Sequence, residues 1–174
     1  MTLTFTFDPV VGPELCDGVA ALWTEVSNAG GAVGFVPPVT LDDIRPELDQ
    51  HLTAMAAGRT RLLVGHDGAG RVVATAFLVS NTHRLLRHWV WLSTVMVHPS
   101  LQGKGAGRAL MAATESAARA VGGFDAIRLA CRGGTGLERF YAACGYQEVG
   151  RVPGGVRVAP GDDRDDITML LPLR

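Results

Sequence analysis

One stretch constrains this chain more than any other: a strand, a turn and a glycine-rich loop enter a helix without interruption. Trp89 to Val97 is an apolar run rich in aromatic and β-branched residues, which suits a buried strand rather than a helix. It stops at His98-Pro99. Beyond Gly103-Lys104-Gly105-Ala106-Gly107, the residues Ala106, Leu110, Ala113, Ala117 and Val121 recur at helical spacing until Gly122-Gly123. Side chains this small let the helix lie close on a sheet. A buried strand leading into such a helix points to layers of helix on sheet.

The remaining segments fit the same plan. Pro13 to Ser27 spaces Leu15, Val19, Leu22, Trp23 and Val26 as a helix, ended by Asn28-Ala29-Gly30-Gly31. Ala32 to Pro38 cannot readily be helical, and Thr40 with Asp43 forms an N-cap arrangement for a second helical region. Pro46 is expected to split that region, and Gly58 to close it. Arg61 to His66 and Val72 to Val79 read as a hairpin about Asp67-Gly68-Ala69-Gly70. Ile127 to Ala130 is a short strand, Leu137 to Cys144 a short helix stopped by Gly145, and Tyr146 to Arg151 and Ile167 to Leu173 are strands. Asp162 to Asp166 is expected to be a polar loop. No repeat or linker divides the chain, so residues 1–174 are expected to form one domain.

Composition removes several function classes. Sixteen basic against seventeen acidic residues leave a net charge of -1, without the basic footprint of a general nucleic-acid binder. The longest apolar stretches, such as Ile167 to Leu171, fall far short of the roughly 20 residues of a membrane span, and Met1 to Asp8 carries no signal-peptide pattern. Neither nucleic acid nor membrane is an expected partner. Cys16, Cys131 and Cys144 are odd in number and widely spaced, which predicts neither a disulfide framework nor a metal site and fits a reducing cytoplasm.

The loop at 102–108 has the makings of an anion site. Residues without Cβ let the backbone pass close to a ligand, and the unpaired N–H groups of the helix's first turn point at it. A pyrophosphate is the natural occupant, with Lys104 and Arg108 adding charge nearby. A Walker loop would need Ser or Thr where Gly105 follows Lys104, and a dinucleotide fingerprint starting at Gly103 would want glycine in place of Arg108. On spacing alone the stretch also reads as an ordinary strand-to-helix turn.

Gln102-x-x-Gly105-x-Gly107, directly after Val95-Met96-Val97-His98-Pro99, resembles the acetyl-CoA loop of GNAT N-acetyltransferases, and Phe140-Tyr141-Ala142-Ala143-Cys144-Gly145-Tyr146 resembles their C-terminal signature. The resemblance runs from about Arg61 to Val149. The stretches Gly30 to Phe35 and Glu148 to Gly154 are further similar to a branch containing tabtoxin-resistance acetyltransferases, which implies a small-molecule acceptor.

The resemblance implies a mixed α/β (α+β) fold: a largely antiparallel sheet of six or seven strands, splayed at the CoA loop and flanked by about four helices. It implies acetyl-CoA as cosubstrate and no metal. Val95, Met96 and Val97 would hold the pantetheine arm through their backbone, and Gln102, Gly103, Lys104, Gly105, Ala106, Gly107 and Arg108 the pyrophosphate. Tyr141 would protonate the leaving thiolate, a task for a phenol still protonated at neutral pH. Phe35, in a flap, and Trp91 and Ser93, on the strand, would line the acceptor site. Two positions depart from the family. Gly134 stands where many members carry Asn, and Trp91 and Ser93 stand where a Glu or His base is common. The missing base leaves three readings: direct acetylation of a small primary amine, a CoA-binding sensor that has lost catalysis, or a protein N-terminal acetyltransferase. A cytoplasmic monomer or homodimer is expected.

Overall fold

In the computed structural model, which describes residues 3–174, the elements follow the order β1 (Thr4–Phe7), α1 (Pro13–Asn28), α2 (Leu41–Ala56), β2 (Thr60–His66), β3 (Val72–Ser80), β4 (Trp89–Val97), α3 (Ala106–Val121), β5 (Ala126–Arg132), α4 (Leu137–Ala142), β6 (Gln147–Ala159) and β7 (Asp162–Pro172). Single 3-10 turns at Arg84–Leu86 and Pro99–Leu101 flank β4. Met1 and Thr2, the start of the segment read for a signal peptide, lie outside the described residues.

All seven strands form one sheet in the order β1-β2-β3-β4-β5-β7-β6, antiparallel except where β4 meets β5. Alternation along the strands gives the sheet two apolar faces. Val19, Leu22 and Trp23 of α1 and Ile44 and Leu48 of α2 pack on Leu62, Val64, Phe77 and Met96. On the opposite face Leu110 and Met111 of α3 and Tyr141 of α4 meet Leu78, Val90, Leu92, Ile127, Leu129, Ile167 and Met169.

Three segments differ from the sequence reading. α2 runs unbroken through Pro46, six residues beyond the N-cap; a complete capping box between Thr40 and Asp43 and burial of Ile44 and Leu48 offset the lost backbone bond. β1 was not expected, although Thr4-Phe5-Thr6-Phe7 alternates as an edge strand should, Phe5 and Phe7 being half-buried. Asp162 to Asp166 is strand rather than loop. Two of its acidic residues meet arginines of β6, Asp163 with Arg157 and Asp165 with Arg151, both at 2.7 Å, and this cross-strand pairing lets a charged run stay extended.

Where β4 leaves β5 the sheet opens. The two strands pair only at Trp89 with Ala126, Val90 with Ile127 and Trp91 with Arg128. On its other side β4 carries a bulge: Ser93 opposes Phe77 and Met96 opposes Thr75, so Thr94 and Val95 together face Ala76 alone. Thr94 takes up the extra residue with φ +48°, rare for a β-branched side chain. The bulge bends β4 away, and β5 beyond Arg128 turns instead wholly to β7.

Candidate active site

A groove of about 520 Å³ occupies the opening. Val95 and Val97 form its β4 wall, Gln102, Gly103, Gly105, Gly107 and Arg108 its loop, Gly31 to Val33 the far rim, and Leu137, Phe140 and Tyr141 the α4 side. The two stretches singled out in the sequence therefore converge on one space from opposite sides of β5.

The loop's shape follows from its glycines. Gly103 and Gly105 sit at φ +72° and +85°, a region costly for residues with a Cβ, and Gly105 is the N-cap of α3. The first helical bond runs from the Ala109 N–H to the Gly105 carbonyl at 3.1 Å, which leaves the N–H groups of Ala106, Gly107 and Arg108 without intrahelical partners. Gln102 braces the loop by donating from Nε2 to the Val97 carbonyl at 3.0 Å. Gly107 is small for a second reason: a Cβ there would come within 3.1 Å of the Phe140 ring. The positive end of α3 and the Arg108 guanidinium thus meet at the groove, as an anionic ligand requires.

Some expected residues stand elsewhere. Met96 is buried in the α1–α2 core, so any contact it makes with a ligand in the groove is through its backbone. Lys104 and Ala106 line a separate cavity beneath the loop with Leu3 and Phe5. Trp91 lies edge-on to Trp89, and the Arg128 guanidinium sits 5.0 and 4.7 Å from their two rings. Ser93 Oγ is buried without a hydrogen-bond partner among the described residues. Phe35 lines a second cavity of about 270 Å³, which shares the lining residue Ala32 with the groove.

Tyr141 is buried except where it borders the groove, and its hydroxyl makes no hydrogen bond among the described residues. Burial, with Cys131 and Cys144 close by, holds its pKa well above the ordinary value, so it stays protonated at neutral pH. Burial likewise pushes the Cys131 thiol up to about 11, and Cys144 also upward, so neither thiol is an activated nucleophile. The departure at Gly134 has a local cause. Arg164 Nη1 would lie 2.8 Å from a Cβ at that position, where φ is +77°, so the arginine fills the space an asparagine would need.

Among the described residues no histidine or carboxylate lines the groove itself. His88 is exposed, and His98 is turned to Glu25 at 2.7 Å and to Ser100. A third histidine escaped the sequence reading. His51 of α2 stacks on Phe77 at 4.3 Å, abuts Trp23, and brings Nε2 to 3.4 Å from Oγ1 of Thr94, the bulge residue. Its place on the helix's inner face, seven residues after Ile44, was the available signal.

The acetyltransferase (GNAT) family model matches residues 34–146, more than half of the chain and most of the groove. This chain is a member of the GNAT acetyltransferase family. GNAT enzymes take acetyl-CoA as cosubstrate, and the loop, the freed N–H groups and the opening of the sheet suit that ligand. Solved structures share the GNAT fold over nearly the whole chain. A phosphinothricin acetyltransferase from Sinorhizobium meliloti in complex with acetyl-CoA is 20% identical, with a TM-score of 0.79, covering 99% of this chain and 89% of its own. An N-acetyltransferase from Staphylococcus aureus is 16% identical with a TM-score of 0.78, covering both chains fully. A spermidine N-acetyltransferase chimera from Vibrio cholerae and hSSAT is 16% identical with a TM-score of 0.77, covering 99% and 96%. Among the described residues no helix is long and apolar enough to cross a membrane.

Proposed function

We propose that the chain acetylates a primary amine of a small molecule by direct attack, with Tyr141 as general acid. The observation that carries this reading is the meeting of the 102–108 loop and Tyr141 in one groove at the point where β4 parts from β5. The amine nitrogen would bond to the acetyl carbonyl carbon while the carbon–sulfur bond breaks. Tyr141 gives its hydroxyl proton to the departing thiolate and regains one from water, and backbone N–H groups of β4 near Met96 and Val97 donate hydrogen bonds to the carbonyl oxygen as negative charge builds on it. The groove supplies no side chain to take the amine's proton, so that proton leaves to water.

The loss of a base also favours a second reading, a module that binds acetyl-CoA without turnover. Thiol release measured with a broad amine panel separates the two. Transfer to small amines above background, lowered about 100-fold or more in kcat by Tyr141→Phe with acetyl-CoA affinity retained, is the expected result. Binding without transfer to any amine would leave the module. Peptide N-termini outrunning small amines would move the acceptor to proteins, and an unchanged kcat in Tyr141→Phe with chemistry rate-limiting would remove the tyrosine from the reaction.

A further inference from the structure

The second cavity lies beside β5 past its last pair with β4, lined by Phe35 of the α1–α2 connection, Ala130, Arg132 and Asp166, with Val156 and Val158 of β6. It shares the lining residue Ala32 with the groove, so the two spaces lie on either side of one turn of chain. Its charges are unusual. Arg151, Arg157 and Arg164 on the neighbouring hairpin each hold a carboxylate, Arg157 doing so through two bonds of 2.7 and 2.8 Å to Asp163. Arg132 holds none: its Nε is buried without a hydrogen-bond partner, and its guanidinium forms no ion pair among the described residues. Arg128 Nε is also unpartnered, but that cation rests against Trp89 and Trp91. Asp166 stands directly across from Arg132 in the β5–β7 register, lines the same cavity, and has neither ion pair nor side-chain hydrogen bond among the described residues.

A guanidinium at a cavity wall with no anionic partner is uncompensated, and a planar carboxylate is the group that it binds through paired bonds. An unpaired cation and an unpaired anion side by side are likewise the complement of a molecule carrying both charges. We infer that Arg132 anchors an anionic group of the acceptor, so that the amine acetylated belongs to a small aminocarboxylate rather than to a polyamine or a neutral amine. Asp166 faces the ammonium form of the same molecule on entry. A polycation would meet Arg132 with like charge and leave the guanidinium without a counter-ion. The inference rests on the transferase reading above and specifies its acceptor.

The test uses α-amino acids and their carboxamides as matched acceptors at about pH 7.5, with the wild type, Arg132→Gln and Arg132→Lys. The amide's less basic amine is the more deprotonated of the two, so a preference for the acid cannot come from amine reactivity. The wild type should favour acids in kcat/KM by about 10- to 100-fold. Arg132→Gln should lose that preference through KM, with kcat and acetyl-CoA affinity kept, and Arg132→Lys should retain part of it. Equal preference in wild type and Arg132→Gln, or faster transfer to the amides by the wild type, would overturn the inference and leave the transferase standing. Should no amine be acetylated, calorimetry on the CoA-saturated protein decides. An amino acid binding the wild type and not Arg132→Gln would keep the anion site and remove only the transferase, whereas no difference would remove both.

Discussion

His51 shows how one side chain ties the core to the site. It sits between Trp23 and Phe77 and reaches Thr94, so the residue that bends β4 is braced from α2. Burial lowers its pKa below the ordinary histidine value, only partly countered by Glu47. The unfolded chain then binds this proton more readily than the native state. The resulting stability is present above about pH 6.5 and is lost as pH falls through the lower folded value. Melting temperature should decline between about pH 7 and 5, and His51→Leu should flatten that limb; an equal slope in the variant would show that His51 does not cause it. The helical spacing from Ile44 could place His51 on the inner face of α2, but nothing local foretold its contact with Thr94. Arg132 had no signal at all, because what marks it is the absence of a partner distant in the chain.

At the level of elements, the unit from β4 through the loop into α3 was readable because each part has a local signature: β-branched and aromatic residues, glycines at the turn, small residues at helical spacing. The helix through Pro46 and the acidic half of β7 were misread because tertiary contacts overrode local preference there: a capping box with buried Ile44 and Leu48 in one case, arginines across a ladder in the other. The loop itself makes a sharp prediction. Acetyl-CoA at one hundred times its dissociation constant should stabilise the fold by about 2.7 kcal/mol. Gly107→Glu places a carboxylate in the anion site and against Phe140, and should abolish the stabilisation. Equal thermal shifts for the two proteins would mean that the ligand binds elsewhere.

Across the whole molecule, the distribution of titratable groups sets the pH dependence of the reaction. Among the described residues no histidine or carboxylate lines the groove, and Tyr141 is held protonated by burial, so neither limb of the profile should belong to the protein near neutrality. For an ordinary amine of pKa near 10, log(kcat/KM) should climb with a slope near one from about pH 6.5 to 9, and an acceptor of lower pKa should bend earlier. His88→Ala and His98→Ala should leave the shape unchanged. A common inflection near pH 6 to 7 for two acceptors, lost in one of these variants, would reveal a base. The three pairs that join β4 to β5 have a wider consequence. Among the described residues they are the only strand-to-strand link between two halves, the meander of β1 to β4 and the group of β5 to β7, and they lie at one end of the strands. Along the rest of that boundary the facing edges of β4 and β5 have no partner strand among the described residues, and an extended occupant bonding to β4 there would act as a short eighth strand that completes the sheet.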